Sequence, residues 1–135
     1  MSSRLALVSL LVRDYDEAIA YYSGVLGFEL REDTPLGGDK RWVRVRPETG
    51  GAELLLARAA TPEQFARIGD QHGGRVGFFL HTDDFTSEYE RLRAAGVQFA
   101  GAPRHEEYGT VVVFIDRYGN RWDLVELSPT TSGRL

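Results

Sequence analysis

Three histidines, His72, His81 and His105, are the side chains here best suited to exchange protons near neutral pH or to bind a metal. His81 follows Gly77 and Phe79 at intervals of two, and on a strand that spacing puts all three on one face. There His81 could bind a substrate or shuttle a proton, or be a solvated residue at a strand end. His105 stands beside Glu106, Glu107 and Tyr108 in a segment, Pro103 to Gly109, that reads as a loop. His72, between Gln71 and Gly73, reads as surface. The absence of cysteine removes thiol nucleophiles, thiolate metal sites and disulfides, and fits a reducing cytoplasm.

Composition narrows the partners. Net charge is −4 with acidic and basic residues interspersed, so there is no basic footprint for nucleic acid. The longest apolar stretch, Leu5 to Val12, falls far short of the ~20 residues of a membrane helix and lacks a cleavage signal. A cytoplasmic protein that touches no membrane is expected. Its 135 residues suit one domain, which at that size buries roughly two-thirds of its unfolded surface.

The elements that must position these residues follow from local patterns. Leu5 to Val12 reads as a buried strand. Asp14, with Glu17 three residues on, caps a helix carrying Tyr15, Ala18, Ile19, Tyr22 and Leu26 at helical spacing, with Gly27 as its stop. Phe28 and Leu30 begin a strand, Pro35, Gly37 and Gly38 a turn, Trp42 to Val45 a strand, Gly50 and Gly51 a turn, and Leu54 to Leu56 another strand. Thr61, Pro62 and Gln64 start a short connector helix ending near Gly69. The order then repeats: strand Val76 to His81, helix from Asp84 to Gly96, and strands near Phe99, Val111 to Ile115 and Trp122 to Leu127. The Gly119 and Asn120 pair is a hairpin turn, not a phosphate loop. Tyr15, Tyr21, Tyr22, Phe85 and Tyr89 belong mostly to helix faces that pack on sheets.

One offset relates the halves. Asp84 follows Asp14 by 70 residues, and the same interval pairs Tyr15 with Phe85, Tyr22 with Leu92, Gly50 with Asn120 and Leu54 with Leu124. The chain is therefore expected to hold two copies of a strand, helix and three-strand module.

The segments VRDYDEAIAYYSGVLGFEL, DDFTSEYERLRAAGVQF and FIDRYGNRWDLVEL together make the chain resemble the vicinal oxygen chelate superfamily of glyoxalase I, bleomycin and fosfomycin resistance proteins and extradiol dioxygenases. The resemblance spans nearly the whole chain. It implies an α+β fold of two βαβββ modules, 4–58 and 75–128, joined by a connector at 59–74 and followed by a tail at 129–135. It also implies curled sheets around a funnel-shaped cavity and a homodimer. Metal-dependent members place one ligand on the first and one on the last strand of each module. The first-strand positions fall here on Leu7 and Gly77, which offer no donor, and the last-strand positions on Glu53 and Asp123.

Two carboxylates fall short of the three protein ligands typical of a catalytic divalent site. No cofactor is expected, although a divalent metal held through His81 or His105 stays open. Carboxylates facing one cavity would raise one another's proton affinity, so Glu53 and Asp123 are candidate catalytic acids or bases. The alternative is that Arg13, Arg44 or Arg121 bridges them. Leu7, Leu11, Phe79 and Val125 would line the cavity by alternation or fill it as core. Leu7, Leu11 and Phe79, with Gly77, His81, His105, Tyr108 and Arg121, make up the candidate ligand-binding set. The leading reading is a small-molecule-binding protein with a degenerate metal site that sequesters an apolar or aromatic ligand. The alternative is a lyase, isomerase or dioxygenase-like enzyme acting through Glu53 or Asp123.

Overall fold

A computed structural model of the chain describes residues 1–129, so the expected tail lies outside the described residues beyond Pro129. There are two compact units, the first Met1–Gly69 and the second beginning at Asp70, each carrying one sheet.

The first unit runs β1 (Leu7–Val12), α1 (Tyr15–Tyr22), β2 (Glu29–Gly37), β3 (Lys40–Arg46), β4 (Glu53–Arg58) and α2 (Pro62–Arg67). Asp14 has extended backbone and its carboxylate accepts the Glu17 N–H at 2.8 Å, which satisfies a helix donor that would otherwise lack a partner. Regular helix ends at Tyr22, earlier than the apolar spacing suggests. The N–H groups of Ser23, Gly24 and Val25 still reach back four residues, and the chain reverses at Gly27 with φ 79°. The sheet order is β1-β4-β3-β2, with β1 parallel to β4 and the other pairs antiparallel. Pro35, expected in a turn, lies inside β2 opposite Arg41. As β2 is an edge strand, the N–H that proline lacks is one the ladder can spare.

Period-two alternation gives this sheet two faces. Leu10, Val12, Val43, Val45, Leu54 and Leu56 are buried, as are Tyr15, Ala18 and Tyr22 of α1, which packs against β3 and β4. Each fully buried aliphatic side chain contributes roughly 1.5–3 kcal/mol relative to exposure. The opposite face carries Leu7, Leu11, Trp42, Arg44, Arg46, Glu53 and Leu55, all half-buried.

The second unit runs β5 (Val76–His81), α3 (Phe85–Ala94), β6 (Gln98–Phe99), β7 (Arg104–Glu106), β8 (Gly109–Ile115) and β9 (Arg121–Leu127). Asp84 caps α3 by accepting from the Ser87 N–H at 3.1 Å. The order is β5-β9-β8, with β5 parallel to β9 and both β6 and β7 antiparallel to β8. The counterpart of β2 is thus broken in two. The Pro103 to Gly109 segment, read as a loop, is instead largely a hairpin: Glu106 faces Gly109 across a Glu107–Tyr108 turn. Three polar residues, Arg104 to Glu106, carry no apolar alternation to announce a strand.

Trp122 anchors this unit's core. Its ring stacks on Phe78 at 4.6 Å and on Phe114 at 5.5 Å, and its indole N–H donates to buried Asp116 at 3.0 Å. Asp116 also accepts from the backbone N–H of Tyr118 and of Asn120, both at 3.0 Å, and from the Asn120 side chain at 2.9 Å. Asn120 is therefore a buried tie within the β8–β9 connection. Among the described residues no helix is long and apolar enough to cross a membrane.

Candidate functional site

Each sheet has one closing-strand carboxylate on the face away from α1 or α3, and the two stand in different surroundings. In the first unit β4 sets Glu53 beside Leu7 on β1. The same face of β3 carries Arg44 and Arg46. Glu53 pairs with Arg44 and lies 3.9 Å from Arg46, while Arg44 also donates to Glu32 at 2.9 Å. The hydrogen bonds to Glu32 and then Glu53 raise the proton affinity of Arg44, and the Thr34 hydroxyl, then Arg44, holds the Glu32 carboxyl below its usual range. Of the arginines weighed as bridges, Arg44 serves Glu53, whereas Arg13 pairs with Glu17 at 2.8 Å. Leu7, Leu11, Leu55 and Trp42 complete the face.

In the second unit β9 sets Asp123 between Phe79 on β5 and Val113 on β8. Its Oδ1 is buried and finds no hydrogen-bond partner among the described residues. Burial pushes the carboxyl above the usual aspartate range, and the charge of Arg104 offsets part of that rise. Phe79 is 55% exposed. The next rung of this face runs His81, Val125, Val111 and Arg104, in which the two valines are fully buried and the two polar residues exposed. Val125, expected to line the site, is packed as core. Arg121 is exposed at the start of β9.

Two expectations about placement change. A register shift between Val76 and Phe78 makes Gly77 an extra residue, so Asp123 faces Phe79 and not the glycine related to Leu7 by 70 residues. A Cβ at Gly77 would lie 2.6 Å from ring atoms of His72, whose imidazole meets Phe78 edge-on at 5.1 Å. Gly77 thus belongs with the aromatic stack, while Phe79 and His81 share the Asp123 face. His72 is exposed, as expected of a surface residue, yet packs over the strand. His105 faces Thr110, with its Nδ1 3.2 Å from that hydroxyl, on the side of the sheet opposite Arg104 and Asp123. Tyr108, half-buried in the hairpin turn, accepts the Ser128 N–H through its carbonyl at 2.8 Å. Sequence reasoning missed Arg104, which shares a face with Asp123, because β7 had not been recognised.

The residues at the superfamily's metal positions do not fit a divalent ion. Leu7 and Gly77 have no donor, and Glu53 is already neutralised by two arginines that would repel a cation. No group of three or more His, Asp or Glu able to hold a metal occurs among the described residues.

Two mixed sheets, each with its first strand parallel to its last and a helix between the first two strands, define a duplicated-module α+β protein. The family model of the Glyoxalase/Bleomycin resistance protein/Dioxygenase superfamily matches residues 4–124. An uncharacterized protein of Shewanella frigidimarina (strain NCIMB 400) is 50% identical over 130 residues, 95% of this chain and 96% of that protein. The chain belongs to the glyoxalase/bleomycin resistance protein/dioxygenase superfamily. Among solved structures, UcmS2 is similar with a TM-score of 0.79 and 36% identity, covering 93% of this chain and 98% of that one. TnmS3, an antibiotic binding protein from Streptomyces sp. CB03234, gives 0.75 and 30%, covering 94% and 98%.

Proposed function

We propose that this protein binds and sequesters a flat, largely apolar small molecule. The observation carrying the reading is that each sheet leaves apolar and aromatic side chains on the face opposite α1 or α3: Trp42 with Leu7, Leu11 and Leu55 half-buried, and Phe79 55% exposed. Apolar area with a few placed polar groups is what a small-molecule site requires. Likeness to an antibiotic binding protein supports an antibiotic-like aromatic compound as the ligand. We place its action in the cytoplasm, as a homodimer, in keeping with a chain free of cysteine.

Trp42 provides the test, with fully packed Trp122 as an internal reference. Titration with a panel of polycyclic aromatic antibiotics should quench Trp42 emission saturably, and Trp42→Phe should abolish the change. No saturable response to any of them, or metal-dependent turnover of a bound compound, would sink the reading. Light scattering should return about twice the 15.1 kDa chain mass.

One observation favours a second reading, a lyase, isomerase or dioxygenase-like enzyme. Asp123 has an unpartnered buried oxygen and a raised proton affinity, the environment in which a carboxyl works as general acid or base. Product formation that disappears in Asp123→Asn, with binding retained, would establish it.

A further inference from the structure

The two modules treat their closing-strand carboxylates differently, and the cause lies in the neighbouring strand. Where β3 offers Arg44 and Arg46 to Glu53, β8 sets the apolar Val111, Val113 and Ile115 beside Asp123. Glu53 is satisfied within its own sheet. Among the described residues Asp123 keeps an acceptor oxygen without a donor, a state that buried polar groups in folded proteins rarely tolerate. Arg104 is turned to Glu106, 3.5 Å away.

Directly beside this carboxylate in register stands Phe79, more than half exposed. An exposed phenyl ring is a stacking platform for another π-system, and its face also attracts a cation. The carboxylate turns about a soft torsion, so either oxygen can meet a group resting on that ring.

We infer that Phe79 and Asp123 form a recognition element for a planar aromatic ligand bearing a hydrogen-bond donor, with a protonated amine preferred over a hydroxyl. The inference rests on the ligand-binding reading and deepens it. The ring holds the ligand's flat body, and the ligand's N–H or O–H supplies the donor that β8 lacks. An ammonium adds charge neutralisation, as Arg44 does for Glu53 in the first unit. His81 and Arg104, one rung away, bound the element with polar groups.

The test uses three probes of one shape on the full chain: 2-(aminomethyl)naphthalene, 2-naphthol and 2-methoxynaphthalene, titrated by calorimetry near pH 7.5. The wild type should bind them in that order, with about tenfold or more between first and last, since a hydrogen bond to a charged group accounts for that much. Asp123→Asn should compress the series to within about threefold, with a far-UV circular dichroism spectrum and a cooperative melt like the wild type's showing that the variant is folded. Phe79→Leu should weaken all three about equally. Equal wild-type affinity for the three, or a preference surviving Asp123→Asn, would overturn the inference and leave the ligand-binding reading standing. Absence of saturable binding by any of the three would remove both.

Discussion

The imidazole of His72 occupies the space that a side chain at Gly77 would need, and it meets the ring of Phe78 edge-on at 5.1 Å. The glycine therefore has a packing role in this chain. It admits His72 to a stack that continues through Phe78 to Trp122 and Phe114.

Gly77→Ala should accordingly push His72 off Phe78. Because His72 is exposed and free to rotate elsewhere, the loss of stability should stay below about 1 kcal/mol. The His72 ring protons should move toward random-coil chemical shifts as the phenyl ring current is lost. Unchanged shifts would mean that the ring contact is not maintained in solution.

Asp116 accepts five hydrogen bonds from Tyr118, Asn120 and Trp122 in a buried setting. Asp116→Ala would remove the carboxylate that accepts from the indole N–H and two backbone N–H groups. We expect a loss of about 3 kcal/mol in urea unfolding and a shifted Trp122 emission, since stranded buried donors cost about 1–3 kcal/mol each when water cannot replace the partner. A loss under about 1 kcal/mol would show that solvent reaches the connection.

Asp123 should make its unit less stable at neutral pH than in mild acid. Its folded proton affinity is raised by burial, so the folded state binds the proton more readily than the unfolded one. Its contribution to stability falls as pH rises from the unfolded value of about 3.8 through the raised folded value. Glu32, held low first by Thr34, and Asp33, held low by Arg41, act in the opposite sense: their stabilisation is present above their unfolded values and fades as pH falls through their folded ones. Asp123→Asn should therefore raise Tm at pH 7 and make acid unfolding steeper. An unchanged or lowered Tm would contradict this.

Arg44 separates Glu32 from Glu53, so its removal should harm the first unit more than removal of either carboxylate alone. Arg44→Met leaves two like charges on one face, whereas Glu53→Gln leaves Arg44 its bond to Glu32. We expect Tm to fall further in the first variant at low salt and the gap to narrow in 1 M salt, where partly exposed charges are screened. Equal Tm values at low salt would argue that solvent already screens the triad.

Helix starts and the duplicated order of elements were legible because their causes are local. Asp14 and Asp84 cap the next turn of chain, and short apolar-rich runs mark Val76 to His81 and Trp122 to Leu127 as strands. The 70-residue offset also led to Glu53 and Asp123 as the related carboxylates. The short strand β7 was not legible, because Arg104 to Glu106 pairs through backbone alone. Pro35 pointed to a turn when it stands in an edge strand, and edge position is not written in its neighbours.

The sequence by itself determined the two modules, their capped helices and the loss of donors at Leu7 and Gly77, since each depends on residues within a few positions or on one repeated interval. Tertiary structure alone decided the different fates of the two surviving carboxylates. Cross-strand partners lie many residues away, and a register shift at Gly77 sets Phe79 beside Asp123. Whether β3 or β8 brings arginine or valine to the carboxylate then decides which one is paired and which keeps a free acceptor.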